Sequence, residues 1–278
     1  MVDRPVAAET RWSTPGQWPT RGRIEALELT GQHSGLGEQA LVYLPPQYFQ
    51  QQYARTSFPA VEVMTGYPGT IRLLVARMHY PDVLLRQIRS HRARPMVLVM
   101  LRPTVVPPRD TECTDVPSGP QTLTYFAEDV PRLVSSSFRV EPTGWGAMGD
   151  STGGYCATKM AMTHSSVFRA AVSLSGYYHT LRDATTGDLW GGSPQLRQLN
   201  DLEWLLRHQP APPVSVFATT GSDEHGPTGV RDLRSFAALV RRPMSITTVT
   251  ESGGGHNFTT WARVLPTAFS WLSAKLGA

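Results

Sequence analysis

From Pro59 to the end of the chain, short runs dense in Val, Leu, Met and Ala alternate with segments whose apolar residues recur at helical spacing. PAVEVMTG from Pro59, PMVLVML from Pro95, WGAMGD from Trp145, AAVSLSG from Ala170 and PVSVFATTG from Pro213 are too short for core helices. They lack the in-out alternation of a half-exposed strand, so they read as strands buried on both faces. Between them, LLVARMHYPDVLLRQIR, TLTYFAEDVPRLVSSSF (interrupted or started near Pro131), STGGYCATKMAMTH and DLRSFAALVRR have helical spacing. SITTVTE and the terminal TWARVLPTAFSWLSAKL complete the series. Strands that alternate with helices predict the α/β class, a mostly parallel doubly wound sheet with helices on both faces. Ahead of it, IEALELTGQHSGLGEQALVYL reads as a β-hairpin ending at Pro45 and Pro46. Residues 1–22, rich in Pro, Thr and Arg, read as a loosely held N-terminal arm, and 23–278 as one domain. The one long interval without a strand, about 177–209, is expected to form a lid-like insertion over the strand ends.

Composition narrows the function classes. Over 278 residues, 40% hydrophobic and 17% charged describe a chain that can bury a sizeable core. The net charge of +4 comes from scattered arginines, with Arg241-Arg242 the longest basic run, so no clustered face for nucleic acid is expected. No stretch reaches the roughly 18 apolar residues of a membrane span, and MVDRPVAAETRW has no apolar signal core. The cytoplasm is then the default compartment, with an excised extracellular domain as the alternative. Cys113 and Cys156 fit two buried thiols or one disulfide equally well. No Cys or His sits at metal-ligand spacing, so neither metal nor other cofactor is expected.

The chemistry is carried by Gly149-Asp150-Ser151-Thr152-Gly153, a G-x-S-x-G between an apolar strand and a helix. A serine hydroxyl is a weak nucleophile unless it is held exposed on a sharp turn beside a base, and small residues two positions either side permit that turn. His256, in ESGGGHNF after the last strand, supplies the base, and its order after the serine fits the α/β-hydrolase fold. The acid should follow PVSVFATT, where Asp223 and Glu224 are adjacent; Asp223, nearer the strand, is preferred and Glu224 is the alternative. The backbone N–H groups of Thr152 and of Tyr67, in MTGYPGT, are the expected oxyanion donors. Tyr177, Trp190 and Phe258 are candidate walls of the substrate pocket.

GDSTGGYCATKMA, AVSLSGYY and GGGHNFTTW resemble the putative-esterase family of α/β hydrolases, from about Arg23 to the C-terminus. That group includes feruloyl and S-formylglutathione esterases and the antigen 85 mycolyltransferases. The resemblance implies Ser151 as nucleophile, His256 as base and backbone donors at Tyr67 and Thr152; it leaves the acid open. It implies a small-molecule, lipid or sugar ester as substrate, with hydrolysis through an acyl-enzyme as the expected reaction. Acyl transfer to a sugar or other alcohol is the alternative, and a catalytically silent binding module a further one. Thr65-Gly66 stands where many relatives carry His-Gly or Asp-Gly.

Overall fold

The computed structural model describes residues 12–277 and the backbone of residues 2–3. Its sheet has nine strands: β1 (Val2–Asp3), β2 (Arg23–Thr30), β3 (Gly37–Leu44), β4 (Ala60–Met64), β5 (Val97–Leu101), β6 (Trp145–Asp150), β7 (Phe168–Leu174), β8 (Ser215–Gly221) and β9 (Ser245–Glu251). They lie in the order β1-β2-β3-β5-β4-β6-β7-β8-β9. The first three strands and the β3–β5 pair are antiparallel, and every pair from β5 to β9 is parallel. This is an α/β-hydrolase fold.

Alternate residues of the central strands feed two apolar layers. Val97, Val99 and Leu101 of β5 face one layer, with the helix Thr152–Thr163, while Leu98 and Met100 face the other, with the helices Tyr80–Arg89 and Phe258–Leu276. Burial on both faces is why β4 and β5 read as continuous apolar runs. The edge strand β9 is Ser- and Thr-rich and largely exposed.

Two details differ from the sequence reading. The segment 71–89 is two helices, Ile71–Ala76 and Tyr80–Arg89, because His79 takes a left-handed conformation (φ 53°, ψ 35°) between them. From Trp12, the lead-in is not loose: Trp12 packs edge-on against Tyr43, Trp18 lies 5.3 Å from Phe49, and Gln50 donates to the Pro19 carbonyl. Two tryptophans give a polar-looking segment enough apolar area to dock. Residues 4–11 of the expected arm lie outside the described residues.

The core holds an uncompensated acid. Glu62, between Ala60 and Met64 on β4, is fully buried and neither carboxyl oxygen has a partner. Burial, and then the nearby Glu38 carboxyl, raise its pKa well above the ordinary value. An acid whose native pKa is raised keeps its proton where the unfolded chain releases it, so stability falls as pH rises above the unfolded value. Glu62→Met should therefore raise the thermal midpoint, by a few degrees at pH 8 and by less at pH 5. A calorimetric gain no larger at pH 8 than at pH 5 would show that Glu62 is not held protonated.

Candidate active site

Register brings the site together. Parallel pairing sets Met64 beside Gly149, Asp150 beside Leu174, Leu174 beside Thr219 and Gly221 beside Glu251. The loops that leave β4, β6, β7, β8 and β9 therefore emerge along one edge. Because β4 lies between β5 and β6, connections diverge there, at the kind of switch point where α/β sheets place their ligands.

Ser151 occupies the turn between β6 and the Thr152–Thr163 helix with φ 53° and ψ −121°, a conformation that L-residues rarely adopt. Its N–H donates to Leu174 O and its carbonyl accepts from Gly154 and Tyr155, so both sides of the turn are tied down. The flanking glycines are required by close approach. A Cβ at Gly149 would lie 2.4 Å from the Gly153 backbone, and one at Gly153 would lie 2.4 Å from Met64 O.

The Ser151 hydroxyl is 3.0 Å from His256 Nε2, and His256 Nδ1 is 2.7 Å from Glu224 Oε2. Glu224 Oε1 accepts from Gly221 N–H at 2.8 Å and from the Ser175 hydroxyl at 2.5 Å. Trp261 Nε1 in turn donates to Ser175, and its ring stands edge-on to His256. Burial would raise the Glu224 carboxyl, but the hydrogen bonds from His256, Ser175 and Gly221 outweigh it and hold the pKa below the ordinary carboxylate value. The carboxylate is thus kept ionised and aimed at the imidazole.

The geometry ranks the two acids in the opposite order to the sequence preference. Asp223 is exposed, and its carboxylate accepts from the neighbouring Ser222 hydroxyl. Glu224 N–H donates to Gly221 O in a turn, which returns the fourth residue over the strand end while the third points outward. Glu224 is 5% exposed, and the longer side chain spans the remaining gap. His225 is exposed, and among the described residues no histidine other than His256 lies within hydrogen-bond distance of Ser151.

The remaining expected residues fall as follows. Tyr67 lies in the tight turn that Gly69 N–H closes on Gly66 O, and its hydroxyl donates to Pro108 O. Thr152 opens the helix after Ser151, where a first-turn N–H has no partner within the helix. Tyr177 is 3% exposed, donates to Glu112 at 2.7 Å and stacks on Tyr155. Trp190 is also buried, packs with Val116 and Leu189, and edges a cleft of ≈160 Å3. Phe258, partly buried, borders an open groove of ≈700 Å3 with Arg77, Asn257 and Arg263.

Around 177–209 the chain forms two short helices, Pro194–Leu199 and Leu202–His208. It is fastened to the loop after β5 by Arg109, which donates to Thr186 O and Asp188 O, and to the Thr152–Thr163 helix by Tyr155, which donates to Asn200 O. Cys113 and Cys156 form a disulfide that joins the same loop to the same helix. Beside it, the buried Lys159 donates to Glu112 O and to the Thr114 hydroxyl. Sequence reasoning did not single out Ser175 or this network. The S-x-S-G of AVSLSG contained Ser175, but only its fold contacts reveal what it holds.

A family model described as "Putative esterase" matches residues 38–272. The chain belongs to that esterase family. An uncharacterized protein of Corynebacterium glutamicum is 24% identical over 249 residues, 86% of this chain, and the chain spans 57% of the length of that relative. Among solved structures, an S-formylglutathione hydrolase from Agrobacterium tumefaciens superposes with a TM-score of 0.75 at 16% identity, covering 93% of this chain and 97% of its own. A ferulic acid esterase superposes with a TM-score of 0.74 at 18% identity, covering 93% and 100%. MPT51 of Mycobacterium tuberculosis gives 0.64 at 15% identity, covering 91% and 98%. These likenesses show the shared fold. Among the described residues no helix is long and apolar enough to cross a membrane.

Proposed function

We propose that this esterase-family chain hydrolyses a carboxylic ester through an acyl-enzyme on Ser151. The observation that carries the reading is the unbroken hydrogen-bonded row from the Ser151 hydroxyl through His256 to Glu224 at the C-terminal edge of the sheet. His256 Nε2 takes the hydroxyl proton as Ser151 Oγ attacks the ester carbonyl. The oxyanion that forms is received by the N–H groups of Thr152 and Tyr67, fixed donors of a kind worth about 2.7–4 kcal/mol each. The imidazolium, stabilised by Glu224, then gives its proton to the departing alcohol. Water, activated by the same His256, releases the acid and restores Ser151. The exposed imidazole edge leaves room for an alcohol in place of water, so transfer to an alcohol is the second reading.

The S-formylglutathione and feruloyl esters of the structural neighbours define the first substrates to try. A series of p-nitrophenyl esters of graded acyl length should be turned over, and a fluorophosphonate should label the peptide that contains Ser151. Product analysis with glycerol as competing acceptor separates hydrolysis from transfer. Absence of ester turnover together with labelling at another residue would remove the reading.

A further inference from the structure

Asp150, immediately before Ser151, has no part in the row just described, yet it is the buried group nearest to it in the chain. It is 1% exposed. Its Oδ2 accepts the Gly66 N–H at 2.8 Å, and its Oδ1 is buried without a partner. Gly66 is pressed against the elbow: a Cβ there would lie 2.8 Å from Ser151 Cβ and 3.1 Å from Asp150 Oδ2. The next amide in the chain is that of Tyr67. Asp150 thus fixes the distance between the β4 loop and the turn that carries Ser151.

With Ser151 as nucleophile, we propose that Asp150 is a positioning residue that clamps the Gly66–Tyr67 amides beside the nucleophile, and that it works as a neutral carboxylic acid. A carboxylate with one bare oxygen in a dry site is strongly disfavoured unless a cation pairs with it. Among the described residues no lysine or arginine does so. The titratable groups that face Asp150 are His256, from the loop after β9, and the buried Tyr80 phenol, whose hydroxyl has no partner, from the Tyr80–Arg89 helix. Burial pushes the Asp150 pKa up to about 7, against the opposing effects of the Gly66 N–H and His256.

As pH rises through that value, Asp150 loses its proton to solvent. A negative charge then lies beneath the position where the oxyanion develops, and that charge slows acylation. The device therefore opposes the usual rise in activity that follows deprotonation of a catalytic histidine.

The test is kcat/KM for p-nitrophenyl acetate from pH 5.5 to 9, corrected for spontaneous hydrolysis, in the wild type, Asp150→Asn and Asp150→Ala. Asparagine keeps an acceptor for Gly66 N–H and carries no charge at any pH. The wild type should fall at least about fivefold between its maximum and pH 9, whereas Asp150→Asn should stay flat within about twofold from pH 7 to 9. At pH 6 Asp150→Asn should exceed Asp150→Ala by roughly tenfold or more, a difference seen in kcat rather than in KM. A wild type that is flat above pH 7, or an Asp150→Asn variant that keeps the alkaline fall, would overturn the proposal. Should Asp150→Ala fail to fold, the asparagine profile still decides. Fluorophosphonate labelling separates the two levels: loss of label at Ser151 in the wild type removes the nucleophile reading, while intact labelling with an unchanged profile removes only the role of Asp150.

Discussion

Ser151→Ala should lower ester turnover by about 10⁴-fold or more and abolish fluorophosphonate labelling, with the fold unchanged. The expected size follows from serine hydrolases in general, where loss of the nucleophile costs up to roughly 10⁶ in kcat because no other group can form the acyl-enzyme. Alanine keeps the Cβ and so meets the same steric surroundings as serine at φ 53°. Removing Oγ leaves His256 Nε2 without its partner but disturbs no backbone hydrogen bond of the turn. The thermal midpoint should accordingly stay within a few degrees of the wild type, so lost activity cannot be laid to unfolding. Retention of more than about a hundredth of wild-type kcat/KM, a loss under ~2.7 kcal/mol of transition-state stabilisation, would mean that another group attacks the ester.

Glu224→Gln and Asp223→Asn, two neighbouring isosteric changes, should differ in kcat by about three orders of magnitude. Removal of the orienting carboxylate costs about 10⁴-fold in the Ser-His-Asp case, since the imidazole loses both its tautomer and the partner of its cation. Glu224 carries three hydrogen bonds, from His256, Ser175 and Gly221. In the glutamine variant the amide nitrogen must face either Gly221 N–H and the Ser175 hydroxyl or His256, so at least one contact becomes unfavourable. Asp223, exposed and bonded to the Ser222 hydroxyl, should tolerate asparagine within about threefold. Steady-state kinetics on both variants checks the ranking, and a larger loss in Asp223→Asn would return the acid to Asp223.

The parts of the fold that sequence made legible are those set by periodicity. β4 and β5 are buried on both faces and carry almost nothing but apolar side chains, so length and flanking prolines sufficed to identify them. Ser151 stood out because the glycines at 149 and 153 answer to backbone crowding that a one-dimensional pattern records, and His256 because it follows the last strand and precedes the last helix. The choice between Asp223 and Glu224 depended on the direction of one turn residue. That direction is set by the Glu224–Gly221 backbone bond and by Ser175 in the loop after β7, neither visible in GSDEHG. The pairing of Cys113 with Cys156 likewise required knowing that the loop after β5 crosses the Thr152–Thr163 helix. The docking of Trp12 and Trp18 was hidden by the polar residues around them.

The disulfide has a topological consequence. Cys113 and Cys156, 43 positions apart, close a covalent ring of chain, and Ser151 lies inside it. Peptide bonds at the exposed tips of that ring, around Pro117–Gly119 and Pro142–Thr143, are open to proteases, while β6, which follows the second tip, is buried. A single cut at either tip would leave both products tethered through sulfur, with the segment that carries Ser151 still threaded through the centre of the sheet. A nicked molecule would therefore travel as one species until reduced.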